Sequence, residues 1–251
     1  MTCRFSKSFH KSNLYKPHMT YILHYAPDNA SLIVRLALLE LGLPFKTRLV
    51  ERRTHAQRSP EYLKLNPNGR IPVLETPQAT MFETGAILLW LADTHNALAP
   101  GINTPQRGTF LKWLFWLSNT LHPTLRMLFY PETYLDHGTA EMVNNLRAAQ
   151  KRSLLNLITL LETTVSRQDK WILNSSPNIF QIYLAVCLRW MALYPTGHTG
   201  WFDLKTWPDL LTLCRNIETR QSALSASQSE GLGATIFSHP TLPNPPEGSP
   251  L

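Results

Sequence analysis

The sequence predicts a small α/β domain with the element order βαβαββα, followed by an all-α domain. Three observations lead to this fold class. Short runs of aromatic and β-branched residues, which favour strands, are confined to residues 21–82. Helical periodicity of apolar residues dominates after residue 109. Between the two parts, residues 96–108 contain two prolines and two glycines, a composition typical of a linker.

The first strand is predicted over residues 21–25, and the turn residues Ala26 to Asn29 follow it. The run from Leu32 to Leu41 is apolar almost all round, which predicts a buried helix that begins at Ser31. Gly42 and Pro44 end this helix. Residues 45–50 then form a second strand, parallel to the first because a helix connects the two.

A short helical turn is predicted near residues 62–65, and Asn66-Pro67-Asn68-Gly69 is a turn. Residues 71–75 and 80–82 form an antiparallel hairpin around Pro77 and Gln78, and a helix follows over 84–95. The first domain therefore covers residues 19–95, residues 96–108 are the linker, and the helical domain covers 109–221. Its helices are expected over 109–130, 140–166, 179–193 and 207–221, before a C-terminal extension, 222–251, that is Pro-rich at its end.

Composition excludes several classes of protein. Hydrophobic residues make up 43% of the 251 residues and charged residues 16%, which excludes disorder for most of the chain. Three widely spaced cysteines exclude a disulfide scaffold. The nine histidines show no metal-binding spacing, so no metal is expected. No apolar run reaches the ~18 residues of a membrane span, so no membrane partner is expected.

The formal net charge of +7 depends on the first 18 residues, which carry four basic and no acidic side chains. We interpret residues 1–18 as a disordered leader or a mis-assigned start before Met19, and a targeting role remains open. Residues 19–251 carry only +3 and no basic stripe, so no nucleic-acid partner is expected.

Pro72 interrupts the predicted strand 71–75, where a proline cannot donate a ladder hydrogen bond. A cis Ile71–Pro72 bond would leave the Ile71 N–H and C=O pointing outward, ready to pair with an extended peptide. The alternative is an ordinary trans proline at the start of a strand.

Glu83 and Thr84 lie where a strand gives way to a helix. Thr84 and the backbone amides of the helix suit a carboxylate, and Glu83 suits an ammonium group, so together they match an α-amino-acid head group. The alternative is that Thr84 only caps the helix.

Asn29 and Ser31 lie at the first strand–helix turn, where a helix N-terminus and a side-chain donor can stabilise a thiolate. The alternative is that either residue simply caps the helix.

Two of these motifs, Asn66-Pro67-Asn68-Gly69-Arg70-Ile71-Pro72-Val73-Leu74-Glu75 and Glu83-Thr84-Gly85-Ala86-Ile87, resemble the N-terminal half of cytosolic glutathione S-transferases, most of all the bacterial-type members. The likeness continues in Trp171-Ile172-Leu173 and residues 179–185. It implies a thioredoxin-like domain followed by a helical bundle domain, in a cytoplasmic homodimer. It also implies glutathione as co-substrate.

The resemblance assigns the cysteinyl part of glutathione to the main chain of Ile71, before Pro72. It assigns the γ-glutamyl head to Glu83 and Thr84. Arg70, with His55, Arg52 and Arg53 as alternatives, would bind the glycine carboxylate.

The sequence departs from the family at the catalytic turn. In family classes with a catalytic Ser or Thr, that residue aligns with Asp28, and in classes with a catalytic Cys it aligns with Ala30. A carboxylate at Asp28 would repel a thiolate, so Asn29, Ser31 or a backbone amide is the expected donor. A second departure is Asn178 to Gln181, where the family has Ser/Thr-x-x-Asp; Asn178 and Gln181 can still form a capping box.

In the family, the first long helix of the helical domain helps to wall the second-substrate site. The candidates here follow helical spacing, although such aromatic stripes are more often core: Trp116, His122, Arg126 and Tyr130. The expected function is a glutathione transferase acting on a small hydrophobic electrophile. The alternatives are a glutathione-dependent disulfide-bond reductase and a non-catalytic glutathione-fold binding protein.

Overall fold

The computed structural model describes residues 20–167 and 176–250. The interpretations of the leader and of Trp171-Ile172-Leu173 fall outside these residues. Within them, the first domain has the predicted order βαβαββα. Its elements are β1 (Tyr21–Tyr25), α1 (Ser31–Glu40), β2 (Phe45–Leu49), α2 (Pro60–Leu63), β3 (Val73–Glu75), β4 (Thr80–Met81) and α3 (Thr84–His95).

The four strands form one mixed sheet in the order β2-β1-β3-β4. Strand β2 is parallel to β1, as the α1 crossover predicts, whereas β3 and β4 run antiparallel to their neighbours. The almost wholly buried helix α1 lies in the main core with α3. A smaller core of Val50, Tyr62 and Val73 includes α2. This is the thioredoxin-like domain that the sequence predicts.

The helical region contains six further α-helices in the described residues. They are α4 (Arg107–Trp116), α5 (His122–Phe129), α6 (Ala140–Arg167), α7 (Ile179–Leu193), α8 (Pro208–Glu218) and α9 (Gln221–Glu230). Helix α7 is buried over nearly its whole length and joins the cores of the two domains. The predicted capping box is present: Asn178 accepts from the Gln181 N–H, and the Gln181 side chain accepts from the Asn178 N–H.

Two helical features differ from the prediction. The single helix predicted over 109–130 is divided by a π-helical segment, Leu117–Leu121. Pro123 in the first turn of α5 has no N–H to continue the α-helical ladder, which is consistent with this break. Helix α9 lies inside the expected C-terminal extension. Its sequence, QSALSASQSE, is rich in Ser and Gln and shows little apolar periodicity.

The chain after α9 returns to the first domain. The Tyr25 hydroxyl donates to the Glu247 carboxylate, and Gly248 lies against Leu49 and Pro27. Among the described residues, no helix combines the length and apolar character that crossing a membrane requires.

Candidate functional site

The sheet register brings three segments together at one edge. Leu74 pairs with Met81 and Glu75 with Thr80, so continuing the same antiparallel register places Glu83 opposite Pro72. His24 pairs with Val73, so the end of β1 at Tyr25 also continues towards Pro72. The turn after β1, the Ile71–Pro72 peptide and the start of α3 are therefore neighbours.

The Ile71–Pro72 peptide bond is cis, which decides between the cis and trans alternatives that the sequence left open. Neither the N–H nor the C=O of Ile71 is hydrogen-bonded within residues 20–167 and 176–250. The preceding carbonyl, that of Arg70, accepts from Tyr62 Oη at 2.8 Å and from Asn66 Nδ2 at 2.7 Å. These two bonds hold the loop in place while the Ile71 backbone groups remain open to a ligand.

Glu83 and Thr84 begin helix α3. Glu83 has φ +70° and ψ 108°, and its exposed carboxylate forms no ion pair within the described part of the chain. Its side chain makes no capping bond to the helix, which counts against a purely structural role for this carboxylate. Thr84 is buried at the first helical position, beside N–H groups that a helix start leaves without intrahelical partners. An unpaired carboxylate and free helix amides thus lie side by side.

The turn between β1 and α1 presents Asn29 and Ser31 differently. Asn29 is half-buried, and its Oδ1 accepts from the Ala30 N–H at 2.9 Å. Because the oxygen is the acceptor, Nδ2 is left as a donor. Ser31 is fully buried; its hydroxyl donates to the Ala26 carbonyl and accepts from the Ala26 N–H. Both hydrogen-bonding capacities of Ser31 therefore serve the turn itself.

Asp28, expected to repel a thiolate, lies in the interior of the protein. Its carboxylate forms a bidentate ion pair with Arg189 at 2.9 and 3.0 Å and also accepts from Trp190 Nε1 and Tyr194 Oη. Asp28 is only 4% exposed, and Arg189 is fully buried. The negative charge that the sequence placed at the catalytic turn is thus compensated inside the fold.

A second buried pair supports the same turn. Glu230, fully buried at the end of α9, accepts from the backbone N–H of Asp28 at 2.8 Å and from Arg35 Nε at 2.6 Å. Burial raises the pKa of Glu230 to about 7, although Arg35 and the Asp28 N–H act in the opposite direction. The start of α1 is therefore held from the far end of the chain.

Three of the four predicted second-substrate residues lie along α5 and its end, four residues apart. All three are half-buried: His122, Arg126 and Tyr130. His122 Nδ1 is 2.6 Å from the Tyr183 hydroxyl, and burial, with the charges of Arg126 and Arg70, lowers the His122 pKa to about 4. The Tyr130 hydroxyl lies 3.5 Å from Arg52 Nη2, so the end of α5 faces the loops of the first domain.

Trp116 lies at the end of α4 and packs edge-on against Trp113, with ring centroids 5.2 Å apart. It comes just before the π-helical segment. In that segment, the Cβ of Ser118 lies 3.3 Å from where a Cβ on Gly85 would be, so this segment meets the first turn of α3 closely. Trp116 is thus half-buried near the site, and its ring packs against Trp113 in the helical core.

The candidates for a carboxylate-binding cation lie on the loops beside Ile71. Arg70, Arg53 and His55 are exposed, whereas Arg52 is half-buried and its Nη2 lies 3.5 Å from the Tyr130 hydroxyl. Arg52 therefore reaches across to the helical domain. As for metals, residues 20–167 and 176–250 contain no group of three or more His, Cys, Asp or Glu placed to hold an ion.

Comparison with known proteins agrees with this geometry. Residues 30–94 match the family model for the glutathione S-transferase N-terminal domain. The chain is 27% identical over 212 residues to glutathione S-transferase GST-4.5 of Xanthomonas campestris, covering 84% of this chain and 98% of that protein. The chain therefore resembles the glutathione S-transferase superfamily.

Two further similarities bear on the candidate site. A sphingomonad glutathione S-transferase, solved in complex with glutathione, superposes with a TM-score of 0.67 at 27% identity, covering 84% of this chain and all of that one. The disulfide-bond oxidoreductase YfcG of Escherichia coli is 34% identical over 110 residues, or 41% of this chain and 51% of that protein.

The sequence analysis did not identify Arg189, Glu230 or Tyr183 as residues that support the site. Each lies on α7 or α9, where the sequence pattern indicates how buried the helix is but not which residues its polar side chains contact. A charged residue within the nearly all-apolar run 179–193 is the one available signal, because an arginine there needs a buried acceptor.

Proposed function

We propose that this protein binds glutathione and activates its thiolate for attack on a small hydrophobic electrophile. The observation that carries the proposal is the convergence of two unpaired binding elements beside the β1–α1 turn. The open backbone groups of Ile71 suit the cysteinyl residue as an added strand would. The Glu83 carboxylate and the amides at the start of α3 suit the γ-glutamyl ammonium and carboxylate. Similarity to glutathione S-transferases, one of them solved in complex with glutathione, supports the same ligand.

We propose Asn29 Nδ2 as the side-chain donor to the thiolate, with Ser31 acting through the turn. A hydrogen bond to the charged form lowers a thiol pKa, and the N-terminus of α1 adds a favourable dipole. The neutralised Asp28 carboxylate removes the repulsion expected from the sequence. The glycine carboxylate is assigned to Arg70, with Arg52, Arg53 and His55 as the neighbouring cations.

The electrophile is proposed to lie against the row of His122, Arg126 and Tyr130, with Trp116 nearby. Catalysis then consists of positioning the two substrates and stabilising the thiolate. The superfamily also favours a cytoplasmic homodimer, which we include in the proposal.

A disulfide-bond reductase is the second candidate, because the chain is 34% identical over 110 residues to the disulfide-bond oxidoreductase YfcG. The β1–α1 turn has no cysteine, and the two described cysteines, Cys187 and Cys214, are buried. In such a reaction two glutathione thiols would supply the electrons that cleave the disulfide, yielding oxidised glutathione and two substrate thiols.

Three measurements on the full chain test these functions. Retention on immobilised glutathione separates a ligand-binding protein from one whose site is inactive. Turnover of 1-chloro-2,4-dinitrobenzene supports the transferase, and turnover of hydroxyethyl disulfide alone supports the reductase. Retention with neither activity would contradict both and leave a binding protein. A crystal structure with glutathione would identify the atom that contacts the sulfur.

A further inference from the structure

Helix α5 carries an arginine, Arg126, that glutathione binding does not explain. Arg126 lies on the helical domain, one turn after His122 and one turn before Tyr130. The Tyr130 hydroxyl is the group that Arg52 of the first domain approaches to 3.5 Å. Arg126 therefore belongs to the wall that faces the proposed glutathione site, on the side assigned to the second substrate.

The three arginines at this wall, Arg52, Arg70 and Arg126, have no carboxylate partner among the described residues, whereas six other arginines do. Six described arginines are ion-paired: Arg35, Arg48, Arg107, Arg147, Arg189 and Arg220. Among residues 20–167 and 176–250, no carboxylate lies within 4.0 Å of Arg52, Arg70 or Arg126. Arg52 and Arg126 instead contact neutral tyrosine hydroxyls, so their charges are not compensated by a carboxylate partner.

Arg126 is also held in one orientation. Its Nη1 donates to the Tyr134 hydroxyl at 2.7 Å, and its guanidinium lies 5.5 Å from the centre of the Tyr134 ring. One of five N–H donors is used in this contact, so the others are available to a ligand. A fixed, half-buried guanidinium loses less entropy on binding an anion than a freely moving side chain does.

The charged groups of glutathione are all assigned to other residues of the site, so none of them pairs with Arg126. Its γ-glutamyl ammonium and carboxylate are assigned to Glu83 and the start of α3, and its glycine carboxylate to Arg70 or the 51–58 loop. His122, one turn before Arg126 on α5, has its pKa lowered to about 4 by burial and by the positive charges of Arg126 and Arg70, so it is neutral at pH 7. The region next to Arg126 thus has a positive potential and no assigned anion.

From this geometry we propose that the second substrate carries an anionic group, a carboxylate on an aromatic electrophile, and that Arg126 binds it. This inference rests on the proposed transferase function and narrows its substrate class. Arg126 would pair with the carboxylate while the Tyr130 and Tyr134 rings contact the apolar part of the molecule.

The test compares 4-chloro-3,5-dinitrobenzoate with its methyl ester, which has nearly the same shape and no charge. In both, the glutathione sulfur bonds to the ring carbon that carries chlorine, chloride leaves with the electron pair, and the thiol proton passes to the buffer. Each kcat/KM is divided by the uncatalysed rate constant, which removes the electronic difference between carboxylate and ester. The ratio of the two normalised values measures the preference for the anion.

We expect this ratio to exceed 1 in the unaltered protein and to fall by about tenfold to a hundredfold in R126Q, as for loss of a charge-assisted hydrogen bond. The matched control is R215Q, because Arg215 is an exposed arginine of α8, remote from this wall, with no ion pair in the described chain. The R215Q ratio should equal that of the unaltered protein.

A ratio of 1 or less in the unaltered protein, or an equal ratio in R126Q, would overturn the inference. So would a rise in the KM for glutathione in R126Q with no change of ratio, since Arg126 would then serve glutathione. If the ester is turned over steadily and the carboxylate is not preferred, this inference is wrong and the proposed transferase function stands. If neither substrate is turned over, calorimetry measures the binding of the two glutathione conjugates, carboxylate and ester. Binding of neither conjugate then defeats the proposed function as well as this inference.

Discussion

Arg189 and Asp28, 161 residues apart in the chain, form a bidentate ion pair in which both side chains are saturated with hydrogen bonds. The five N–H groups of Arg189 donate to the Asp28 carboxylate and to the carbonyls of Leu232, Ile236 and Thr241. Asp28 also accepts from Trp190 and Tyr194. One pair thus joins the β1–α1 turn, helix α7 and the C-terminal segment.

We expect R189M to lower the free energy of unfolding by about 3–5 kcal/mol, because it leaves the Asp28 charge buried without its partner. Urea denaturation measures this change. R215M at the exposed site should change stability by no more than about 0.5 kcal/mol. The double variant D28N/R189M should recover part of the loss, and a double variant no more stable than R189M would contradict this account of the pair.

Replacing Asn29 by Ala should lower kcat/KM with 1-chloro-2,4-dinitrobenzene and raise the pKa of bound glutathione, because the thiolate loses a donor. At saturating glutathione, the pH dependence of kcat/KM for 1-chloro-2,4-dinitrobenzene reports the pKa of the bound thiol. S31A should lower turnover through the turn and should also lower stability, since its hydroxyl bridges both backbone groups of Ala26. Unchanged kinetics in both variants would sink the assignment and point to main-chain donors.

E83Q should raise the KM for glutathione by about tenfold or more, because an amide cannot compensate the γ-glutamyl ammonium charge. E61Q is the matched control: Glu61 is an exposed carboxylate in the first turn of α2, away from the start of α3. Initial rates at varied glutathione concentration separate the two. Equal KM values in E83Q and the unaltered protein would remove Glu83 from the site.

His122 should make stability fall as the pH drops from about 6.5 to 4. Its pKa is lowered to about 4 by burial and by Arg126 and Arg70, so in this range the unfolded chain binds a proton that the folded protein does not. The loss reaches at most about 3 kcal/mol across the window. Denaturation of H122Q at several pH values checks it; a difference between H122Q and the unaltered protein that does not vary between pH 4 and 6.5 would contradict it.

Glu230 should have the opposite effect. Burial raises its pKa to about 7, so between about pH 4.5 and 7 the folded protein retains a proton that the unfolded chain has lost. Stability from this group is therefore present below pH 4.5 and declines as the pH rises to 7, by roughly 1–3 kcal/mol. E230Q keeps nearly the same side-chain shape and removes the titration, while its amide nitrogen cannot accept one of the two hydrogen bonds, so the comparison uses the slope of the profile and not its height. If its stability profile has the same slope as that of the unaltered protein over this range, the raised pKa is wrong.

Local features were predictable where neighbouring residues decide them. The strands and the buried α1 and α7 follow from residue patterns, and so does the Asn178–Gln181 cap. The break before α5 and the Ser- and Gln-rich α9 were missed, because periodicity averages over a window and α9 has little apolar character.

The sequence by itself determined the order of the elements, since turn chemistry and apolar spacing act over a few residues, and its resemblance to a family suggested candidate residues for binding glutathione. Only the tertiary structure decided that Asp28 is neutralised by Arg189, that Glu230 holds the start of α1 through Arg35, and that Arg52 of the first domain reaches Tyr130. The physical reason is that a buried charge must find its partner in space. In this fold the partners lie 161 and 195 residues away along the chain, where no local pattern indicates them.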